Sequence, residues 1–205
     1  MNIDLFKVIE AIKARPTHNN IMRPGFGVGG YCLTKDPLFA KISSKQILGL
    51  SSQEFPFSTK AVKINSKMPL HTLKRVIDFF DGDLKGVNIL LMGISYREDV
   101  GDTRFSPSEI FYKEAKREGA SINVHDPMVD FWHETDLKIN KKIPNLNNYH
   151  CIVFAVPHTD YQKIDFNECK INKRVLIFDA NNVLTDEQYR IAKKLKLNCI
   201  SNGRG

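Results

Sequence analysis

The residues best suited to chemistry lie in one short run, where Cys32 is followed by Lys35 and Asp36. A cysteine becomes a nucleophile when its thiolate is favoured, as it is beside a cation or at the start of a helix. Asp36 and Pro37 are typical of an N-cap followed by proline in the first turn. They predict a helix over residues 37–48 with its positive end toward Cys32. This run is therefore a candidate nucleophilic site.

Four glycines precede the cysteine within six positions: Gly25, Gly27, Gly29 and Gly30. Glycine reaches positive φ and lets the backbone approach a ligand closely, so we interpret the run as a ligand cradle. Its spacing also fits G-x-G-x-x-G, but a dinucleotide site needs that motif between a strand and a helix. The residues before it predict a helix over 3–13 instead. A structural turn with an inert, buried Cys32 is the alternative that local spacing leaves open.

Composition limits the class of protein. The 205 residues are 42% hydrophobic and 26% charged, which is typical of one large or two small globular domains. The net charge of +7 comes from dispersed lysines and arginines. We therefore expect a generally basic surface with no nucleic-acid partner, which would suit a small anionic ligand. No apolar run reaches the ~18 residues of a membrane helix, and the start is not typical of a signal peptide, so a cytoplasmic protein without a membrane partner is predicted.

The cysteines are scattered along the chain, at Cys32, Cys151, Cys169 and Cys199. No C-x-x-C pair is present, so the pattern predicts reduced thiols rather than a disulfide framework or a zinc site. We expect no metal ion in this protein.

Helical spacing dominates residues 1–82. Helices are predicted over 3–13, over 37–48 and over a long segment from 54 to 80, which Pro69 should kink. The apolar stripe of that long segment suggests a dimer interface, and packing within the chain is an equally plausible alternative.

Strands and helices alternate over residues 83–205. Such alternation predicts an α/β domain with a doubly wound parallel sheet, whose ligands bind at the carboxyl ends of the strands. Four loops would then meet around one crevice: residues 93–104, 125–127, 157–158 and 179–182. The predicted strands are 87–92, 122–125, 151–156, 175–178 and 197–200, and the predicted helices are 106–118 and 186–194.

Several motifs in this order resemble one family. Residues 25–37 read Gly-Phe-Gly-Val-Gly-Gly-Tyr-Cys-Leu-Thr-Lys-Asp-Pro, which is similar to the catalytic cysteine motif of the UDP-glucose/GDP-mannose dehydrogenase family. Residues 64–69, Ile-Asn-Ser-Lys-Met-Pro, resemble its central helix. Residues 91–107, from Leu-Met-Gly to Arg-Phe-Ser-Pro, resemble the opening of its UDP-binding domain, and residues 124–127 and 156–158 continue the match. The resemblance covers essentially the whole chain.

The resemblance implies an architecture. Members of this family have two Rossmann-like domains joined by a helical domain, and the first Rossmann-like domain binds NAD. Residues 1–82 would be the central helical domain and residues 83–205 the Rossmann-like UDP-binding domain, with a homodimer formed through residues 54–80. The chain would thus begin inside the helical domain, with the NAD-binding domain outside it. By itself it is expected to be an incomplete, inactive fragment.

The resemblance also implies a reaction: oxidation of a sugar C6 alcohol to a uronic acid with two NAD. Cys32 would capture the intermediate aldehyde as a thiohemiacetal, which becomes a thioester and is then hydrolysed. Asp36 would orient or activate the water, and Lys35 would support the oxyanion or the aspartate. A role of Asp36 as a plain N-cap stays open beside this one.

Binding residues follow from the same resemblance. Arg23, the four glycines and Tyr31 would surround the nucleotide-sugar substrate, Tyr96 and Arg97 would lie against it, and Arg104 would reach toward NAD. Asn181 stands where the family commonly has arginine, and Phe105 replaces a usual glutamate. These departures put a ligand contact in doubt. They also leave open a divergent or decaying enzyme. The alternative function, which an NAD-binding domain outside the chain would support, is a UDP-sugar-binding or dimerisation fragment without turnover. The particular nucleotide sugar is not readable from the sequence.

Overall fold

Helices form the first part of the described chain and alternate with strands in the second. The structure, a computed structural model, describes residues 3–169 and 175–204. The helices are α1 (Leu5–Lys13), α2 (Phe39–Gln46), α3 (Pro56–Asn65), α4 (Met68–Phe79), α5 (Pro107–Arg117) and α6 (Asp186–Lys194). The strands are β1 (Asn88–Met92), β2 (Ser121–His125), β3 (Phe131–Trp132), β4 (Leu137–Lys138), β5 (Cys151–Phe154), β6 (Leu176–Asp179) and β7 (Asn198–Ser201).

Local sequence explains where several helices begin. The Asp4 carboxylate caps α1 by accepting a hydrogen bond from the Phe6 amide at 3.0 Å. Ser106 caps α5, whose first residue is Pro107. Thr185 and Gln188 form a reciprocal capping box at the start of α6.

The helix predicted over residues 37–48 begins differently from expectation. Residues Asp36–Leu38 form a 3-10 turn, and the α-helix begins only at Phe39. No side-chain hydrogen bond caps either element, and the Asp36 carboxylate bonds the Lys35 ammonium instead. The prediction that Asp36 acts as an N-cap is therefore wrong, because the adjacent cation competes for its carboxylate.

The long segment predicted over residues 54–80 is two helices. The break lies between Asn65 and Met68, and Pro69 stands in the first turn of α4. Proline suits that position because the first turn needs no amide donor from it. Pro69 thus begins a new helix rather than kinking a continuous one.

The two helices differ in burial. Helix α4 buries Leu73 and Val76, three residues apart on one face, in the same hydrophobic cluster as β1 and α5. Helix α3 buries no residue, and the Phe57 side chain is 89% exposed. Packing within the chain therefore accounts for the apolar stripe of α4 but not for that of α3. The boundary near residue 82 stays a prediction, although α4 and the sheet share one core.

The five long strands form one parallel sheet in the order β2-β1-β5-β6-β7. After β1 the chain adds β2 at one edge of the sheet. It then returns to the other side of β1, where it adds β5, β6 and β7 in turn. The order therefore reverses between β1 and β5, and the crevice at such a reversal is where open parallel sheets bind ligands. The doubly wound α/β prediction is confirmed.

Alternate residues of β1, β5, β6 and β7 enter two separate hydrophobic clusters. Ile89 and Leu91 of β1 pack with α4 and α5 on one face. Leu90 and Met92 pack on the other face with α6 and with the 3-10 turns at residues 159–163 and 166–168. All four side chains are fully buried, as strands covered on both faces require. The short hairpin of β3 and β4, which the sequence did not reveal, adds the fully buried Trp132 against Tyr112.

Removal of the Leu73 side chain should destabilise the fold, because this side chain packs α4 against the sheet. Leu73→Ala leaves a cavity between α4 and the sheet, so we expect it to lower the free energy of unfolding by about 2–5 kcal/mol. Leu48→Ala removes the same atoms from a residue that is 64% exposed and should change it by less than about 0.5 kcal/mol. Denaturant titration measures both values. Equal effects would contradict the assignment of α4 to the core.

Candidate functional site

The predicted cradle is a loop that packs tightly against the loop after β1. We call residues 25–36 the glycine loop and residues 95–106 the Tyr96 loop. A Cβ atom added to Gly29 would lie 2.8 Å from the Tyr96 Cβ and 2.9 Å from the Phe105 carbonyl oxygen. Gly30 has φ +86° and donates its amide to the Arg104 carbonyl at 3.2 Å. These glycines therefore allow two backbone segments to meet, and their role as a ligand cradle stays a prediction.

Asn65 holds the glycine loop from the other side. Its Oδ1 accepts the Val28 amide at 2.8 Å, and its Nδ2 donates to the Val28 carbonyl at 2.6 Å. The side-chain amide thus pairs with one residue as a neighbouring strand would. Sequence reasoning placed Asn65 in a family-like motif but assigned it no role, because the partner lies 37 residues away.

Cys32 lies on this loop with an exposed side chain. Its carbonyl oxygen accepts the amides of Lys35 and Asp36 at 3.2 and 2.9 Å, which closes a tight turn around the cysteine. The alternative of a buried Cys32 is therefore wrong. The other three cysteines are buried or half-buried.

Lys35 is fixed by a carboxylate and two rings. Its Nζ lies 2.7 Å from Oδ1 of Asp36, 4.1 Å from the centre of the Tyr31 ring and 4.6 Å from that of Phe39. The hydrogen bond to the Asp36 carboxylate raises the pKa of Lys35 and outweighs the opposing effect of desolvation. A fixed ammonium beside an accessible thiol and a carboxylate is an arrangement suited to thiol chemistry.

Arg104 and Phe105 complete this face of the Tyr96 loop. The Arg104 guanidinium binds Asp102 through Nε at 3.0 Å and Nη2 at 2.6 Å, and this pairing raises the pKa of Arg104. Its centre lies 5.8 Å from the Tyr31 ring, and the Phe105 ring lies 5.9 Å from the same ring. Phe105 has φ +54°, which is strained for a bulky residue. The exposed Phe105 ring lies at the junction of the two loops, next to Tyr31.

The two predicted binding arginines, Arg23 and Arg97, have different surroundings. The Arg23 guanidinium bonds Glu10 of α1 at 2.6 Å, and that hydrogen bond lowers the pKa of Glu10. Arg97 is exposed on the Tyr96 loop next to Tyr96, whose own amide donates to the Asp102 carbonyl at 2.8 Å. Arg23 therefore turns toward the helix rather than toward the glycines.

A buried polar network anchors the start of the Tyr96 loop. The Oδ2 atom of Asp126 accepts the amides of Ile94 and Ser95 at 2.8 and 3.0 Å and the Ser95 hydroxyl at 2.8 Å. Nε2 of His158 lies 3.1 Å from the same oxygen. Burial by itself raises the pKa of Asp126, but the hydrogen bonds from His158 and the two amides outweigh it and lower that pKa to about 2. This cluster joins three of the loops predicted to meet at the crevice.

The fourth loop follows β6 and carries the departure at Asn181. Its Nδ2 donates to the Ala155 carbonyl at 3.1 Å, so the side chain is engaged within the chain. A side chain larger than hydrogen at Gly25 would collide with the Asn181 amide. Asp179, fully buried at the end of β6, accepts the Val183 amide at 2.8 Å, and burial raises its pKa. The loop thus meets the glycine loop through Asn181.

A large cavity lies elsewhere. Its volume is about 1140 Å³, and it opens along β2, between Asn123, Tyr149 and Glu168. The junction of the glycine and Tyr96 loops does not contribute to it. Among residues 3–169 and 175–204, no helix has the length and apolar character to span a membrane, and no cluster of three acidic, histidine or cysteine residues is arranged to hold a metal ion.

Two family models match this chain. One describes the central domain of the UDP-glucose/GDP-mannose dehydrogenase family and matches residues 1–67. The other describes the UDP binding domain of the same family and matches residues 90–186. The first match contains the glycine loop, and the second contains the Tyr96 loop and the buried network. The chain therefore belongs to the UDP-glucose/GDP-mannose dehydrogenase family, as the motifs indicated.

Similar proteins agree with this assignment. A UDP-N-acetyl-D-mannosamine dehydrogenase of Methanococcus maripaludis is 30% identical over 203 residues, which are 96% of this chain and 45% of the relative. A UDP-glucose 6-dehydrogenase of Rickettsia conorii is 23% identical and matches 82% of this chain and 40% of its own length. The crystal structure of an NDP-N-acetyl-D-galactosaminuronic acid dehydrogenase from Methanosarcina mazei has the same fold, with a TM-score of 0.82 at 24% identity, over all of this chain and 45% of that one. The chain thus spans less than half the length of these relatives.

Cys32 should be the most reactive thiol of the chain. Burial raises the pKa of Cys151, of Cys169 and, to about 12, of Cys199, which keeps these thiols protonated at neutral pH. Iodoacetamide at pH 7.5 is therefore expected to label Cys32 first, and peptide mapping after short exposure measures the order. In 6 M guanidinium chloride, the control, the four rates should converge. Labelling of Cys151 as fast as Cys32 in the native chain would contradict the assignment.

Asp126 should make stability depend on pH. Its folded pKa of about 2 lies below its unfolded value, so its stabilising contribution is complete above about pH 4 and disappears as the pH falls toward 2. The contribution is about 2 kcal/mol. Between pH 5 and pH 2, the free energy of unfolding of the natural chain should therefore fall by about 2 kcal/mol more than that of Asp126→Asn. Asp130→Asn changes a carboxylate that is 83% exposed and should behave as the natural chain does. Parallel acid profiles for Asp126→Asn and the natural chain would rule this contribution out.

Proposed function

We propose that this chain is the substrate-binding and thiol-bearing part of a nucleotide-sugar 6-dehydrogenase, which oxidises a sugar C6 alcohol to a uronic acid. The observation that carries the proposal is the junction of the two loops. It joins the exposed Cys32, beside the Lys35–Asp36 pair, to the Tyr96 loop through the Gly30–Arg104 backbone bond. The function of the relatives and the geometry of this junction support the same reading.

The chemistry assigned to this chain is covalent capture followed by hydrolysis. The Cys32 thiolate would add to the C6 aldehyde, forming a C–S bond and an alkoxide, and the ammonium of Lys35, three residues along the same loop, would stabilise that alkoxide. Oxidation of that adduct gives a thioester. Water then adds to the thioester carbonyl with Asp36 accepting its proton, the C–S bond breaks, and the thiolate and a carboxylate are released. Capture keeps the reactive aldehyde on the protein between the two oxidations.

The hydride acceptor implied by the family is NAD, and the described residues do not fit its phosphate-binding turn. That turn requires a glycine motif between a strand and a helix, whereas residues 25–30 lie in coil that no strand precedes within residues 3–24. We therefore assign to this chain only the two steps at Cys32 and no step for NAD.

The 205-residue chain by itself is expected to give no NADH with any nucleotide sugar. The expected contact of Arg104 with NAD stays a prediction, as does a cytoplasmic location.

The substrate-binding part of the proposal involves Tyr31, Tyr96, Arg97 and the glycine backbone. Tyr96 packs its ring against Gly30, so it is fixed at the junction, and the exposed Arg97 beside it is available to neutralise a diphosphate. For Arg23 to contact the substrate, its guanidinium must leave Glu10. Relatives act on different sugars by name, so the proposal extends only to a nucleotide sugar.

Nucleotide sugar should protect Cys32 from alkylation. We expect UDP-N-acetylmannosamine or UDP-glucose to slow iodoacetamide labelling of Cys32 and to raise the melting temperature, because a ligand that binds only the folded state stabilises it. Arg97→Ala should weaken the binding roughly tenfold, as the loss of a charged phosphate contact does. Arg190→Ala removes an arginine of α6, remote from the junction and 76% exposed, and should leave binding unchanged.

The alternative function is a UDP-sugar-binding or dimerisation fragment without turnover, which the poor fit of residues 25–30 to an NAD phosphate-binding turn supports. A melting-temperature shift without protection of Cys32 would favour that alternative. No shift with UDP-N-acetylmannosamine, UDP-glucose or GDP-mannose would refute nucleotide-sugar binding in both functions and would leave only dimerisation.

A homodimer through residues 54–80 belongs to the same proposal. Because α4 packs into the core, α3 is the part of this segment that could form the interface. Phe57 and Ile64 are exposed on α3. Phe57→Asp should convert the dimer to a monomer, because it places a charge in an apolar contact. Sedimentation velocity over a range of concentrations measures the change, with Phe131→Asp on β3 as the control. Monomeric behaviour of the natural chain at all concentrations would contradict the dimer.

A further inference from the structure

His158 makes hydrogen bonds from both ring nitrogens to the same loop. Its Nδ1 lies 3.0 Å from the Asp99 amide nitrogen, and its Nε2 lies 3.0 Å from the Ser95 hydroxyl and 3.1 Å from Oδ2 of Asp126. The ring is fully buried. Ser95 begins the Tyr96 loop and Asp99 lies at its middle, so one side chain ties both points of the loop to the end of β5.

The bond to Asp99 determines the tautomer. A backbone amide can only donate, so Nδ1 must accept and carries no proton, and the proton of the neutral ring is on Nε2. Nε2–H then points to the Asp126 carboxylate. The ring thus supplies an acceptor on one side and a donor on the other, which no aliphatic or aromatic core residue could replace.

Asp99 has a backbone conformation that needs such support. Its φ is +52°, in the left-handed region that costs a non-glycine residue energy. Its carboxylate accepts the Thr159 hydroxyl at 2.6 Å and the Thr159 amide at 3.1 Å. His158 and Thr159 therefore hold the turn at Asp99 in place from two adjacent positions.

The far side of the same loop contacts the glycine loop. Tyr96 donates its amide to the Asp102 carbonyl at 2.8 Å, and the Arg104 carbonyl accepts the Gly30 amide at 3.2 Å. We propose that His158 is a positioning residue, which acts through the Tyr96 loop to hold the glycine loop and its Cys32 in register. The role in catalysis rests on the proposed function, but the coupling of the two loops does not.

Amide hydrogen exchange of the natural chain and its variants, without ligand, tests the coupling. His158→Phe keeps an aromatic ring at this position, but the hydrogen bonds of both ring nitrogens are lost. We expect the amides of Asp99, Tyr96 and Gly30 to exchange at least about fivefold faster, since each lost hydrogen bond is worth about 1 kcal/mol, while amides of β6 and β7 keep their rates. His125→Gln changes another buried histidine, which bonds Tyr161 and the Lys141 carbonyl instead, and should leave all three amides unchanged.

Two conservative variants separate the two bonds. The amide oxygen of Asn lies near the position of Nδ1, so His158→Asn should restore slow exchange at Asp99. The amide nitrogen of Gln lies near Nε2, so His158→Gln should restore the anchor at Ser95 and leave Asp99 fast. In the natural chain, long-range ¹H–¹⁵N spectra should give an unprotonated Nδ1 and a protonated Nε2, which tests the assignment even if a variant fails to fold.

Other outcomes would overturn the proposal. Faster exchange at Asp99 and Tyr96 with Gly30 unchanged would mean that the two loops are not coupled through His158. Uniformly faster exchange across the sheet would make His158 an ordinary core residue, and the opposite tautomer would remove the bond to Asp99. Failure of nucleotide sugars to bind would leave the exchange result intact and would refute only the proposed function.

Discussion

The close approach of two backbone segments is the constraint on which the site depends. The glycine loop and the Tyr96 loop meet at Gly29 and Gly30, where an added Cβ would lie 2.8 Å from Tyr96 at the first and 3.1 Å at the second. A methyl group at either position would separate the loops or displace Tyr96. Because Cys32 follows only two residues later, such a displacement would move the thiol relative to every group on the Tyr96 loop. The glycines thus set the distance between the helical region and the sheet region.

Buried carboxylates hold the sheet side of this junction. Loops that leave the carboxyl ends of parallel strands carry amides with no strand partner, and each such amide needs an acceptor. Asp126 accepts the amides after β1, and Asp179 accepts those after β6. Their pKa values move in opposite directions, since hydrogen bonds dominate at Asp126 and burial dominates at Asp179. Rigid loops at the strand ends are a consequence, and a rigid platform suits precise positioning of a reacting thiol.

Burial separates the accessible Cys32 from the three other cysteines, which are buried or half-buried. Cys151 lies in the central part of the sheet, where its pKa is raised and its thiol is inert. Cys32 is held at the surface by a turn in which its own carbonyl accepts two amides, so the backbone is satisfied and the side chain is left accessible. The exposed face of α3 and the exposed rings of Tyr31 and Phe105 surround the same region with apolar surface. Such surface is expected of a part that works against a partner domain or a second copy.

The sequence by itself determined the family, the α/β class, the approximate place of the five long strands and the collection of loops at one end of the sheet. Periodicity and motif order carry that information because they are local. It did not determine that Asp36 pairs with Lys35 instead of capping a helix. Nor did it determine that Pro69 lies in the first turn of α4, or that the Asn65 side chain forms hydrogen bonds with the Val28 backbone. It also left open the tautomer and partners of His158, which lies more than thirty residues from Asp126 along the chain. Only the tertiary structure decided these points, because each depends on which distant groups compete for the same hydrogen bond.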